Sequence, residues 1–350
     1  MTANSQKLMR LPAVRMAPLI CLPVMLLAIL IAFSPPTSGP MMISLPGTVS
    51  EAQIQQALNI LPASGGEVCL AAGVYEIHRP LVMARDNQTL RGMGETTILH
   101  LAAGANCPVI IMGEPVNHPK KTVRFLRVAD CYIDGNRHQK QREVWSLTGQ
   151  GSQIRNNGIT VQNVRNSKVE NVTCARCRSG GLVTTHDVRH LVVNGFNAFD
   201  NEFDGLACYQ TTESLFSRLY LHDNPGAGIS LDLAFNHNVV SNAVLTANDL
   251  GIFMRSSRQN HFFNVTIHKS RHFGVFMAQT VEKNAHGWEP APQTACADNA
   301  FLYLVASNCG GAAFRVNNDN CTNNVIVRAE FRDNLQGGVS EAHPDLVTVQ

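Results

Sequence analysis

From residue 158 onward the apolar positions fall into a rhythm. Gly158, Gly181, Gly205, Gly228, Gly251 and Gly274 open the stretches GITV, GLVT, GLAC, GISL, GIFM and GVFM, at spacings of 23, 24, 23, 23 and 23 residues. After the glycine the first and third residues are mostly apolar, as in Ile159 and Val161, Ile229 and Leu231, Ile252 and Met254. That alternation predicts a short strand with one buried face. A second apolar patch follows, in HLVVNGF, NVVSNAVL and HFFNVTI. Asn and Asp then gather before the next glycine, where their tolerance of left-handed backbone lets the chain bend. The phase resumes at Ala312–Val316 and again at Gly338. Asn171, Asn194 and Asn264 each stand thirteen residues past their glycine and predict an internal asparagine ladder.

A unit of this length with strands and no helix cannot bury its own apolar face. Stacked units bury one continuous core, which is the logic of a solenoid. A leucine-rich repeat would need its leucine spacing and a helical half, and a propeller blade about 40 residues. The pattern therefore predicts an all-β fold, a single-stranded right-handed parallel β-helix. Near the N-terminus, EAQIQQALNIL sets Ile54, Ala57, Leu58 and Leu61 on one helical face. This predicts a helix that caps the open end of the solenoid. The stretches GGEVCLAAGVYEIHRPLVM, QTLRGMGETTILHL and VRFLRVADCYIDGN then read as the first coils.

The first 40 residues form a separate segment. Lys7, Arg10 and Arg15 precede the apolar run Ala17–Phe33, and SPPTSG follows it. This is the order of an export signal, and the run sits at the short limit for spanning a bilayer. Residues 1–40 are expected to be a signal peptide or a membrane anchor, and residues 41–350 the exported β-helix. Ten cysteines suit that compartment, and Cys296 and Cys309 bracket an interruption they could close. A formal charge of +2 gives no footprint for nucleic acid. No metal cluster or phosphate-binding glycine motif is evident, so no cofactor is expected; calcium remains open without a spacing that indicates it.

Two stretches break the coil rhythm, near 137–157 and 286–299. Long insertions on a rigid scaffold are commonly functional loops. Arg137, His138, Lys140 and Arg142 in the first are candidates for guiding an anionic chain. Trp145 and Trp288, one in each, are candidates for stacking on sugar rings. The fourth position after each glycine should point outward and form a ladder at the strand spacing. That column reads Gln162, Thr185, Tyr209, Asp232, Arg255 and Ala278, with His186 one place further on. Phe253 and Phe276 share a second outward phase. A bland reading stands beside each: a turn histidine, an outward aromatic, a cross-strand ion pair.

The opening QQAL…GGEVCLAAGVY…LRGMGETTIL, the DGN that follows and the glycine-led coils resemble the pectate-lyase-like superfamily of β-helical polysaccharide enzymes. Within it, the coils are most similar to those of periplasmic mannuronan C5-epimerases. The likeness runs over roughly residues 45–340. It implies an exported enzyme on an acidic polysaccharide, acting by lyase or epimerase chemistry. In GLVTTHDVRH, His186 and Asp187 match the final His-Asp of the epimerase Asp-Pro-His-Asp motif, with Thr184 and Thr185 where the motif has Asp-Pro. The resemblance makes His186 the catalytic histidine, and Asp232 resembles an acidic position in a later epimerase coil. Chemically, Arg255 suits neutralisation of a uronate, and Tyr209 and His186 suit proton transfer. Two other readings stay open. One is a glycoside hydrolase using Asp232 with Asp204, Glu202 or Glu213; the other is a polysaccharide-binding β-helix without catalysis.

Overall fold

The computed structural model describes residues 41–139, 154–279, 295–341 and 347–350. The N-terminal segment 1–40 and most of both coil interruptions lie outside them. Among the described residues no helix is long and apolar enough to cross a membrane.

Each coil is built from three strands. The coil at Gly205 runs through Leu206–Tyr209, a two-residue strand at Thr211–Thr212 and the longer Leu215–His222. Neighbouring coils pair in parallel and in register, so the three strand types stack into sheets of ten, six and fourteen strands. The chain is a right-handed parallel β-helix of about eleven turns. The alternation predicted after each glycine holds: Leu206 and Cys208, Ile229 and Leu231, Ile252 and Met254 all lie in one continuous core. The longer strands add Phe216, Phe262 and Phe301 to that core; the last two stack at 4.4 Å between ring centroids.

The expected helix spans Glu51–Ile60. Ser50 starts it: its hydroxyl accepts from the Gln53 N–H, and the Gln53 side chain accepts in turn from the Ser50 N–H. Ile54, Ala57 and Leu58 are buried against the first strands, and Pro62 follows its end.

The asparagine ladder is internal, but other asparagines form it. Asn171 and Asn264 lie exposed on the outer surface at φ 51 and 54, and bond to Asp130 and Asn242 there. Asn194 is also on that surface, accepting from Arg218. They mark a kink in the middle of the long strands. The buried ladders are Asn201, Asn224 and Asn248 at one turn and Asn238, Asn260, Asn299 and Asn324 at another. Each side chain there accepts from the preceding coil, and each but the last of its ladder donates onward, satisfying turn backbone that would otherwise be buried unpaired.

Candidate functional site

The glycines carry no Cβ where coils approach most closely. A Cβ on Gly228 would meet the Gly251 carbonyl at 3.0 Å and Asn248 at 2.9 Å. With the glycine fixed inside, the fourth residue falls on the outer face of the ten-stranded sheet. Thr185 pairs with Gln162, Tyr209 with Asp232 and Arg255 with Ala278, so the predicted column stands on successive rungs. The turn after each rung is left-handed: Asn163, His186, Gln210, Leu233 and Ser256 all have φ between 45 and 57. His186 thus occupies an architectural turn position, and its N–H donates to Gln210 Oε1 at 3.0 Å.

A cleft opens on this face. Gln162, Thr185, Tyr209 and His186 line it, joined by Asn117, Arg155, Asn157, Phe203 and Asp204. Its floor is made by the second-position column, whose residues are small: Thr160, Val183 and Ala207. Gln162 is fully buried and donates through Nε2 to the carbonyls of Glu114 and Val116, while its Oε1 meets no partner. Thr185, 9% exposed, likewise leaves Oγ1 without one. Buried polar atoms left unsatisfied are costly, and two of them line one cleft.

Asp204, on the turn before its rung, keeps some exposed surface, but neighbours enclose the carboxyl and that enclosure governs its titration. Burial pushes it up to about 6, against the Ala227 N–H it accepts at 2.7 Å and the positive charge of Arg155. The Tyr209 hydroxyl is pushed up more strongly, first by burial and then by the Asp204 and Asp232 carboxylates; Arg155 and Arg255 pull the other way. Tyr209 therefore sits in the field of two acids and two arginines, and holds its proton at neutral pH. The Arg155 guanidinium lies 4.4 Å above the Phe203 ring.

Asp232 and Arg255 meet directly, with Arg255 Nη2 at 2.5 Å from Asp232 Oδ2. The Asp232 side chain is buried (4% exposed) and its other oxygen accepts from the Leu233 N–H at 2.8 Å. Arg255 is more open and lies 5.0 Å over the Phe253 ring. Arg255 does not line the cleft, whereas Arg155 does.

Other expected positions fall elsewhere. Asp187 is held by Arg165 at 2.6 Å and Arg189 at 2.7 Å. Arg137 pairs with Asp200 at 2.6 Å, and His138 lies 3.9 Å from the same carboxylate; neither lines the cleft. Lys140, Arg142, Trp145 and Trp288 lie outside the described residues. Of the hydrolase partners, Glu202 is paired with Arg178 and Glu213 with His190, while Asp204 faces the cleft. The bridge that Cys296 and Cys309 could form is not made: Cys309 directs its thiol to the Ser307 carbonyl. Sequence reasoning missed Arg155, Asn157 and Phe203. The first two close a polar interruption, and Phe203 lies in the Asn/Asp-rich run that signals a turn, which hid it.

Among solved structures, ORF18 of Geobacillus virus E2 superposes with a TM-score of 0.66 at 13% identity, over 88% of this chain and 61% of that one. The A-module of the Azotobacter vinelandii mannuronan C-5 epimerase AlgE6 gives 0.53 at 14% identity, over 87% and 95%. The enzymatically active domain of tailspike protein 2 from bacteriophage CBA120 gives 0.59 at 12% identity, over 85% and 44%. At such identities the likeness is one of fold. The chain thus spans less than two thirds of the Geobacillus virus protein. No curated protein matches it. The family model of NosD, described as a periplasmic copper-binding protein, matches residues 98–286, more than half of the chain, and the chain belongs to the NosD family.

Proposed function

We propose that the protein acts on a polysaccharide, an acidic one first, through proton transfer at a sugar ring bound in the cleft. The observation that carries this reading is the convergence of Tyr209, His186, Asp204 and Arg155 on one cleft whose floor is small and whose walls hold unsatisfied polar atoms. Arg155 meets the uronate carboxylate and makes the C5 proton removable. His186 takes that proton. Tyr209, which keeps its own proton, gives it to the leaving oxygen in a lyase or to the opposite face in an epimerase. The fold shared with an epimerase module and a tailspike enzyme domain supports a carbohydrate-active role. The family's periplasmic description supports an exported location, in line with the charged and apolar N-terminal segment, which is also the means of any membrane attachment.

A second reading, glycoside hydrolysis, is favoured by one specific observation: Asp204 and Asp232 both act on Tyr209, and Asp204 is pushed toward neutrality. A raised acid beside a second carboxylate is the arrangement for protonating a glycosidic oxygen. Among the described residues no donor set matches the copper in the family's description: no three or more His, Cys, Asp or Glu gather to hold a metal. Copper therefore enters no step of this reading.

The test is a panel of uronate-containing and neutral polysaccharides given to the purified protein. A rise in unsaturated-uronate absorbance marks elimination, and exchange of the C5 proton marks epimerisation. New reducing ends alone mark hydrolysis. Binding with silence in all three assays would rule out catalysis and leave a binding protein.

A further inference from the structure

Near the C-terminal end of the solenoid two cysteines are brought together by the coil register. Asn299 donates from both its N–H and its side chain to Asn324 Oδ1, at 3.2 and 3.0 Å. Asn323 reaches Asp298 at 3.2 Å, and Ala300 pairs with Val325. Carried back along both chains, the same register sets Cys296 opposite Cys321. Neighbouring coils run about 4.8 Å apart, inside the range of about 4.4–6.8 Å between Cα atoms that a disulfide spans. Both side chains are fully buried in the same core, just before the strands Ala300–Ser307 and Asn324–Val327. The Cys296 thiol donates to the Ala278 carbonyl at 3.7 Å, and the two thiols act on each other's ionisation.

The other cysteines lack this combination. Cys131 is in register with Val172, and Cys174 with Ile133, so no neighbouring-strand pair arises there. Cys174 and Cys177 do meet, both within 3.0 Å of the point where Gly158 would carry a Cβ, but they sit within one coil and could tie only that coil to itself. Cys296 and Cys321 lie on successive coils, where the strands shorten to Phe314–Val316 and Asn324–Val327. A solenoid end has one neighbour fewer than an interior coil and opens first.

We infer that Cys296 and Cys321 are a covalent modification site: they close a disulfide that ties the last coils together. The chemistry is thiol–disulfide exchange with a disulfide oxidant, such as oxidised glutathione or an oxidoreductase of the export compartment. The Cys321 thiolate attacks one oxidant sulfur and expels the other as a thiolate. The Cys296 thiolate then attacks the mixed disulfide, forming the Cys296–Cys321 bond and releasing the second oxidant sulfur as a thiolate. Two protein thiols are oxidised, their two protons pass to solvent, and one oxidant disulfide is reduced by two electrons. Because both thiols are sealed in the core, the exchange takes place before these coils close or during their local opening.

The test is synthesis of the full chain in a cell-free system buffered with oxidised and reduced glutathione and supplied with a disulfide isomerase. Free thiols are then blocked under denaturing conditions and the peptides mapped. The expected result is a Cys296–Cys321 linkage, with a melting temperature about 5 °C above that of the same protein treated with dithiothreitol. The paired variant Cys296→Ala/Cys321→Ala should melt with the reduced protein and ignore dithiothreitol. Recovery of both cysteines as blocked thiols would overturn the inference. So would a bond from either one to Cys309, or a pair kept reduced by a bound copper(I) ion that fluorescent chelators detect.

Discussion

Asp204 is caught between opposing influences: enclosure favours its neutral form, while the Ala227 N–H and Arg155 favour the carboxylate. Its folded value, about 6, lies above the ordinary 3.8. Below 3.8 the group is neutral in both folded and unfolded chains, and its contribution to stability is fully present. As pH rises through about 6 that contribution is lost, because the unfolded chain ionises more readily. The neutral, isosteric Asp204→Asn should therefore stabilise the protein at pH 7 by about 2 kcal/mol, with the gain gone at pH 3.5. Urea unfolding at the two pH values measures it. The same variant should lose activity by roughly 10²–10⁴-fold if Asp204 moves a proton in the reaction. A gain in stability with loss of activity separates a functional acid from a structural one. Tyr209→Phe removes only a hydroxyl. Its expected signature is a fall in kcat of at least about 10²-fold with little change in KM, because the proton it gives is needed only in the transition state.

Along the stacked strands, Asp232 and Arg255 show how burial changes the worth of a cross-strand pair. Between exposed side chains such a pair contributes under about 1 kcal/mol. Here the Asp232 carboxylate is buried, so Arg255→Ala leaves a charge in the wall without its cation. A loss of about 3 kcal/mol is expected, with most of it restored in Asp232→Asn/Arg255→Ala. Equal losses in the single and double variants would mean that solvent already satisfies Asp232. The ladder asparagines give a second case. Asn260→Ala removes a side chain that donates to the Phe235 carbonyl and to Asn299, and accepts from the Asn238 N–H. Thermal denaturation should register a loss of about 2–3 kcal/mol. The strands, the column and the core phase were legible in the sequence, because a period of two within a period of 23 is a direct record of which side chains face inward. Asn260 and Asn224 were not. An asparagine that caps a buried turn and one that kinks an outer strand have the same composition, and only stacking tells them apart. Asp204 was legible only as one of three acids that could partner Asp232, since it lies among the Asn and Asp of a bend.

At the scale of the whole molecule the cleft is a length of solenoid, and its ends are set by side-chain size. The second-position column runs Thr160, Val183, Ala207, Ser230 and then Phe253 and Phe276, all in parallel register. The cleft is lined over the first three of these rungs, and the small Ser230 continues the column at the fourth. At the fifth, the Phe253 ring rises with Phe276 stacked behind it at 5.9 Å and Arg255 laid across it. A chain lying along the axis therefore has about 15–20 Å between the Gln162 rung and this wall, room for about four sugar residues at roughly one per rung. Cleavage or epimerisation of oligosaccharides of graded length should accordingly rise in kcat/KM up to about four residues and then level off. Phe253→Ser should move the plateau to longer chains while leaving the rate on the shortest substrates unchanged, because the wall lies two rungs beyond Tyr209. A plateau that stays in place in Phe253→Ser would mean that the chain crosses the coils at an angle and leaves the trough before it reaches the wall.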